Sequence, residues 1–319
     1  MVMKKTLRVK LMLHEWVMIA YAVLTLLFMF LLWKDLVDPF EMLKTRAIAL
    51  TVIAVSVGIN TWHNSTFTKW LRVASVLMTL SIWYPDTYEF CRLFPYKDHI
   101  FAQWDQDWFG CQPALLFSQK LPQWWASEAF CLGYFSYFPM MWVLVTWITF
   151  CRPQYLSRIA FTLLTSFYLY YLIYMFLPVA GPQFYYQAEG VDPALGVFPD
   201  LGRYFNTHTD LYPMPGGNGP FHYCVELAQL AGERPTAAFP SSHIGVSTIM
   251  LLFALKFRMK GIFFSFLPFY LLLCGATVYI HAHYLVDAIF GFFSSFIVFW
   301  IVSKMYENLS AEGNKQQIL

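Results

Sequence analysis

HYLVDAIFGFFSSFIVFWIVS, residues 283–303, reads as a helix that crosses a membrane and opens with ionisable groups. Its twenty-one residues fall within the roughly 17–25 needed to cross a bilayer core, and Asp287 is its one carboxylate. A carboxylate one turn into an apolar span is costly, which marks a functional position. Seven further segments approach the same length and character: 16–33, 45–62, 70–90, 129–150, 159–178, 242–258 and 262–280. Pro85 and Asp86 interrupt the third of the eight. The sequence therefore predicts an all-α polytopic membrane protein of about eight transmembrane helices.

Composition agrees. Of 319 residues, 58% are hydrophobic and 13% charged, against about 25% charged in a soluble domain. The net charge of +2 comes with no basic stripe, so nucleic acid is excluded as a partner. Lys4, Lys5, Arg8 and Lys10 precede the first apolar run, Trp16 to Trp33. That run exceeds the roughly 7–15 residues of a signal-peptide core and ends without a small-residue cleavage pattern, so it reads as a retained helix.

Loop charges orient the spans. With the N-terminus inside, Lys69, Arg72, Arg152, Arg158, Lys256, Arg258, Lys260, Lys304 and Lys315 all fall on the inner side. The outer loop 91–128 is acidic in balance, with Asp98, Asp105, Asp107 and Glu128 against Arg92, Lys97 and Lys120. Its Trp104, Trp108, Trp124 and Trp125 suit the headgroup layer. The second long outer loop, 178–240, contains Pro213-Met214-Pro215-Gly216-Gly217-Asn218-Gly219-Pro220, which is neither helix nor sheet. A loop of that length is usually functional. None of the six cysteines forms a CxxC pair; Cys91, Cys111 and Cys224 fall in outer loops, where the question of a disulfide stays open.

Chemistry-bearing side chains gather at two outward helix starts. The first is Pro240-Ser241-Ser242-His243. A serine N-cap leaves backbone N–H groups and a positive dipole end, which together suit a phosphate, and His243 projects from that turn. Taken alone, the same residues could simply cap a helix. The second start is His281-Ala282-His283-Tyr284-Leu285-Val286-Asp287. On a helix, His283 and Asp287 share a face, which makes His283 a nucleophile or general base oriented by the carboxylate. A pair that only ties two helices together is the alternative.

Pro-Ser-Ser-His followed about forty residues later by His-Tyr-x-x-Asp resembles the type 2 phosphatidic acid phosphatase superfamily, over residues 159–303. The resemblance implies a six-helix-type core in which His283 attacks phosphorus, Asp287 orients it and His243 protonates the leaving oxygen, with no metal or cofactor. Ala180-Gly181-Pro182-Gln183-Phe184-Tyr185 looks like the first motif of the inositol phosphorylceramide synthase branch and its bacterial relatives. The lysine, Arg-Pro and Ser-Arg elements of the phosphatase branch are absent: Ala276-Thr277 fill the Ser-Arg slot, Gln183 stands where many bacterial relatives place arginine, and His281 where a cation is often found. A phosphate monoester carries nearly two charges and a diester one, so a cation-poor site suits a diester.

The expected function is a lipid phosphotransferase that moves an inositol-phosphate-like headgroup from a phospholipid to a hydroxyl such as that of ceramide. The alternative within the superfamily is a lipid phosphate phosphatase. A transporter or lipid-binding protein is the remote reading, disfavoured because no Gly/Pro-broken helix pair recurs in matching halves. Expected substrate contacts are Gly181, Pro182, Gln183, Arg234, Ser241, Ser242 and His281, with Arg203 a further source of charge. The chain divides into N-terminal spans with the aromatic loop (1–128), a catalytic core (129–303) and a cytoplasmic tail (304–319). The site faces outward, across the plasma membrane if the source is bacterial.

Overall fold

The apolar runs, bounded by Ser, Asp, Pro and Gly, fold as helices throughout the computed structural model, which describes residues 10–217 and 219–315. Lys4, Lys5, Arg8 and Asn218 lie outside the described residues. In chain order the helices are α1 (Leu13–Leu31), α2 (Pro39–Trp62), α3 (Thr66–Met78), α4 (Leu80–Cys91), α5 (Asp98–Phe109), α6 (Pro113–Lys120), α7 (Trp124–Phe135) and α8 (Tyr137–Cys151). They continue as α9 (Leu156–Phe176), α10 (Pro182–Tyr185), α11 (Pro220–Gly232), α12 (Ser242–Lys256), α13 (Lys260–Tyr279) and α14 (Leu285–Lys315). The described residues contain no strand.

Among the described residues, five segments are long and apolar enough to cross a membrane: Leu13–Leu31, Pro39–Trp62, Pro153–Phe176, Lys260–Tyr279 and Leu285–Glu312. The pair α7 and α8, bent by 40°, makes a sixth when taken as one span. Two of the eight expected spans do not reach this length. The stretch 70–90 divides at Thr79 between α3 and α4, and α12 has 15 residues, below the roughly 17 a span requires.

The chain forms two compact units. One comprises residues up to Tyr84 with Val145–Thr165. Inside it, Asp38 caps α2 by accepting the Glu41 N–H at 2.9 Å, with Pro39 preset for the first turn. Arg72, expected as an inner-loop cation, is instead buried. Its Nε donates to Glu15 Oε1 at 2.7 Å, its Nη1 to Asn60 Oδ1 at 2.9 Å, and its Nη2 also meets the Glu15 carboxylate. A guanidinium fork satisfied on all sides is the form in which a buried arginine is tolerated.

The second unit, Pro85–Leu144 with Ser166–Leu319, holds all the expected site residues. Here α13 packs on α7, and α12 on α13 and α14. Gly291 of α14 admits the start of α12: a Cβ there would lie 2.5 Å from the Ser241 carbonyl oxygen. Cys91, Cys111 and Cys224 are free thiols, and Cys91 is buried with its Sγ 3.7 Å from Tyr96 Oη.

Candidate active site

The start of α12 is built as its sequence suggests. Ser241 is the N-cap, its Oγ accepting the Ile244 N–H at 3.5 Å, and its own N–H donates to the Asp287 carbonyl at 3.1 Å. Tyr174 stitches the turn from outside, its hydroxyl donating to Pro240 O at 2.8 Å and accepting the Ser242 N–H at 3.1 Å. His243 follows in the first turn. Its ring stacks on Tyr134 at 4.7 Å and lies 4.7 Å from Tyr137, tilted by 51°. The His243 and His283 rings sit edge to face with centroids 5.9 Å apart. Two helix starts separated by forty residues thus present their imidazoles to one another.

His283 Nδ1 lies 2.7 Å from the Ala238 carbonyl oxygen. A carbonyl only accepts, so Nδ1 carries the proton and Nε2 keeps its lone pair. The expected Asp287 orientation takes a different form: Oδ2 is 3.8 Å from Nδ1, beyond hydrogen-bond length. It accepts the Tyr284 N–H at 2.9 Å instead, an acid in the first turn reaching back to the residue before the helix. The reason is that α14 begins at Leu285, after His283, and His281 is left-handed with φ 66. Helical stacking of residues four apart does not apply across that bend. Asp287 therefore fixes the turn that carries His283 and places a carboxylate near its ring.

Three of the four outer-loop acids prove to be structural. Asp98 and Asp105 are two turns apart on α5, on one face. Asp98 accepts the N–H groups of Ala180 at 2.9 Å and Gly181 at 2.8 Å and the Tyr284 hydroxyl at 3.1 Å. Asp105 accepts the N–H groups of Leu285 at 2.9 Å and Val286 at 3.0 Å. One helix thereby ties the first motif to the start of α14. Glu128 likewise accepts the N–H groups of Phe221 and His222, both at 2.9 Å, at the start of α11. A carboxylate at a helix N-terminus also meets the positive dipole end. In the sequence these acids read as loop charge; the spacing of seven between Asp98 and Asp105 is the one signal of a shared helix face.

Burial pushes the carboxyls of Asp98 and Asp105 up to about 6, against the opposing pull of the N–H groups each accepts. Both therefore bind a proton in the folded protein between about pH 4 and 6, where the unfolded chain is already ionised. Their contribution to stability is fully present below about pH 4 and is lost as pH rises through about 6. Thermal unfolding in detergent is expected at higher temperature near pH 5 than at pH 7, with a smaller difference in an Asp98→Asn, Asp105→Asn double variant. An unchanged difference would remove these groups as its source.

The first motif supports the site from behind. Gly181 has φ 93 and ψ 163, a region essentially restricted to glycine, and a Cβ there would meet the Ala282 carbonyl oxygen at 2.7 Å. Gly181→Ala is expected to cost on the order of 1–3 kcal/mol from backbone strain alone. It should also lower kcat, since Ala282 sits between His281 and His283; unaltered melting and turnover would contradict this reading. Pro182 is buried in the first turn of α10. Gln183 binds protein on every side: its N–H donates to His281 O at 2.8 Å, its Nε2 to Glu233 Oε1 at 3.0 Å, and its Oε1 accepts from Gln229 Nε2 at 3.1 Å. His281 Nε2 lies 3.2 Å from Ser118 Oγ. Arg234 and Arg203 are exposed and donate to the carbonyls of Glu233 and Leu93. Among the described residues, no Arg or Lys is hydrogen-bonded or ion-paired to His243, His283 or Asp287.

The chain matches the sequence profile of a family described as PAP2 superfamily over residues 101–301. That region begins within α5 and includes Asp105 and both helix starts. No curated protein and no solved structure matches the chain.

Proposed function

Because the chain belongs to the PAP2 superfamily and is a membrane phosphoric-ester hydrolase or transferase, we propose that it moves a phosphoalcohol headgroup from a phospholipid to a lipid hydroxyl such as that of ceramide. The observation that carries the reading is the pair of facing imidazoles, one with a free Nε2 lone pair, with no Arg or Lys hydrogen-bonded or ion-paired to them among the described residues. A singly charged diester is the substrate such a site accommodates with least uncompensated charge. The facing imidazoles need the starts of α12 and α14 on one side of the membrane, so we count the short α12 and the divided stretch 70–90 as crossings, which gives eight spans with both termini inside, the site outside and 129–303 as the catalytic core.

In this reading His283 Nε2 attacks phosphorus and a P–N bond forms. The P–O bond to the diacylglycerol oxygen breaks, and that oxygen takes a proton from the His243 imidazolium. The headgroup phosphate stays on His283, whose positive ring is held by Ala238 O and faces the Asp287 carboxylate. Neutral His243 then accepts the proton of the incoming hydroxyl, which attacks phosphorus and releases His283.

Purified protein in detergent, given labelled phosphatidylinositol or phosphatidic acid with and without ceramide, tests this reading. A new phospholipid formed from phosphatidylinositol only with ceramide present is expected. Inorganic phosphate released from phosphatidic acid alone would make the protein a phosphatase and overturn the charge argument.

A further inference from the structure

Helix α6 and loops of the second unit border an open pocket of about 490 Å³ beside His281, within the roughly 300–1,000 Å³ of small-molecule sites. His281 and Ser118 form its buried floor. Tyr212 meets the imidazole edge-on at 5.2 Å, Gln119 and Gln187 stand exposed at the rim, and Met214 supplies an apolar flank. No lining residue is an acid, a lysine or an arginine. Burial pushes His281 down to about 4, so its ring is neutral at physiological pH.

A phosphate, carboxylate or quaternary ammonium would find no counter-charge among the lining residues. Hydroxyl groups fit, because a serine, two amides, a phenol and a neutral imidazole each donate and accept hydrogen bonds. We propose that the cavity binds the uncharged polyol portion of a phospholipid headgroup. The proposal rests on the phosphoryl-transfer reading of His243 and His283. Only Ala282 separates His281 from His283, so their Cα atoms are at most about 7 Å apart. The bend at His281 turns the rings to different neighbours, His281 to Ser118 and Tyr212, His283 to His243 and Ala238. A polyol seated on His281 would stand one short turn from the reacting phosphorus.

Titration calorimetry with myo-inositol, and with choline as the cationic control, tests the cavity on wild-type and His283→Ala protein in detergent. Inositol is expected to bind both proteins alike and choline neither. A Gln119→Leu, Gln187→Leu double variant at the exposed rim should weaken inositol by about tenfold while melting as wild type, the scale of one or two lost hydrogen bonds. Ser118→Ala offers a second, floor-level variant with the same expected loss of affinity and a lower melting temperature, because His281 Nε2 loses its partner. No inositol binding, equal choline binding, or affinity indifferent to these variants overturns the proposal. If phospholipid is turned over but inositol does not bind, the cavity proposal fails and phosphoryl transfer stands. If inositol binds and no phospholipid is consumed, the phosphoryl reading fails while the cavity remains a polyol site.

Discussion

Replacing His283 with alanine is expected to reduce kcat by about 10⁴-fold or more, the scale seen when a nucleophile or its base is removed from an acyl-transfer site. The His283 ring is buried and holds one structural hydrogen bond, to Ala238 O, so alanine should cost about 2–4 kcal/mol of stability through an unpaired carbonyl and a cavity. A folded protein that melts lower and has lost turnover is therefore the expected pair of results. His283→Gln keeps a donor for that carbonyl and removes the nucleophile, so it should be equally inactive. Turnover near the wild-type rate in either variant would remove His283 from the chemistry.

His243→Asn is expected to slow turnover by about 10²–10⁴-fold, the usual contribution of a general acid. The residue protonates the departing oxygen, so the loss should depend on how much that oxygen needs a proton. An aryl phosphodiester with a good leaving group should show a much smaller defect than the natural alkyl ester. A defect equal for both would mean that His243 serves binding, through its stack on Tyr134, rather than proton transfer.

Much of this site was legible because its parts are local. Pro240 to His243 and His281 to Asp287 are short runs whose helix-start character is written in their own residues. The apolar stretches likewise announced a helical membrane protein, because hydrocarbon admits little else. Their number was less legible, since residues 70–90 divide at Thr79 and α12 stops after 15 residues. The bend at His281 also escaped notice; it depends on Gly181 approaching Ala282 from a hundred residues away. So did the capping roles of Asp98, Asp105 and Glu128. Their partners lie 82 to 186 residues distant, and a buried acid and a loop acid look identical in sequence. Arg72 misled for the same reason, its partner Glu15 being 57 residues earlier.

Trapping the intermediate tests the central claim most directly. Protein mixed with phosphatidylinositol labelled in its headgroup, with no acceptor, is quenched within a turnover and digested. The account predicts headgroup label on the peptide carrying His283, acid-labile as a P–N bond is, absent from His283→Ala and discharged by ceramide. Turnover without label on the wild-type protein, or label that persists in His283→Ala, would contradict it.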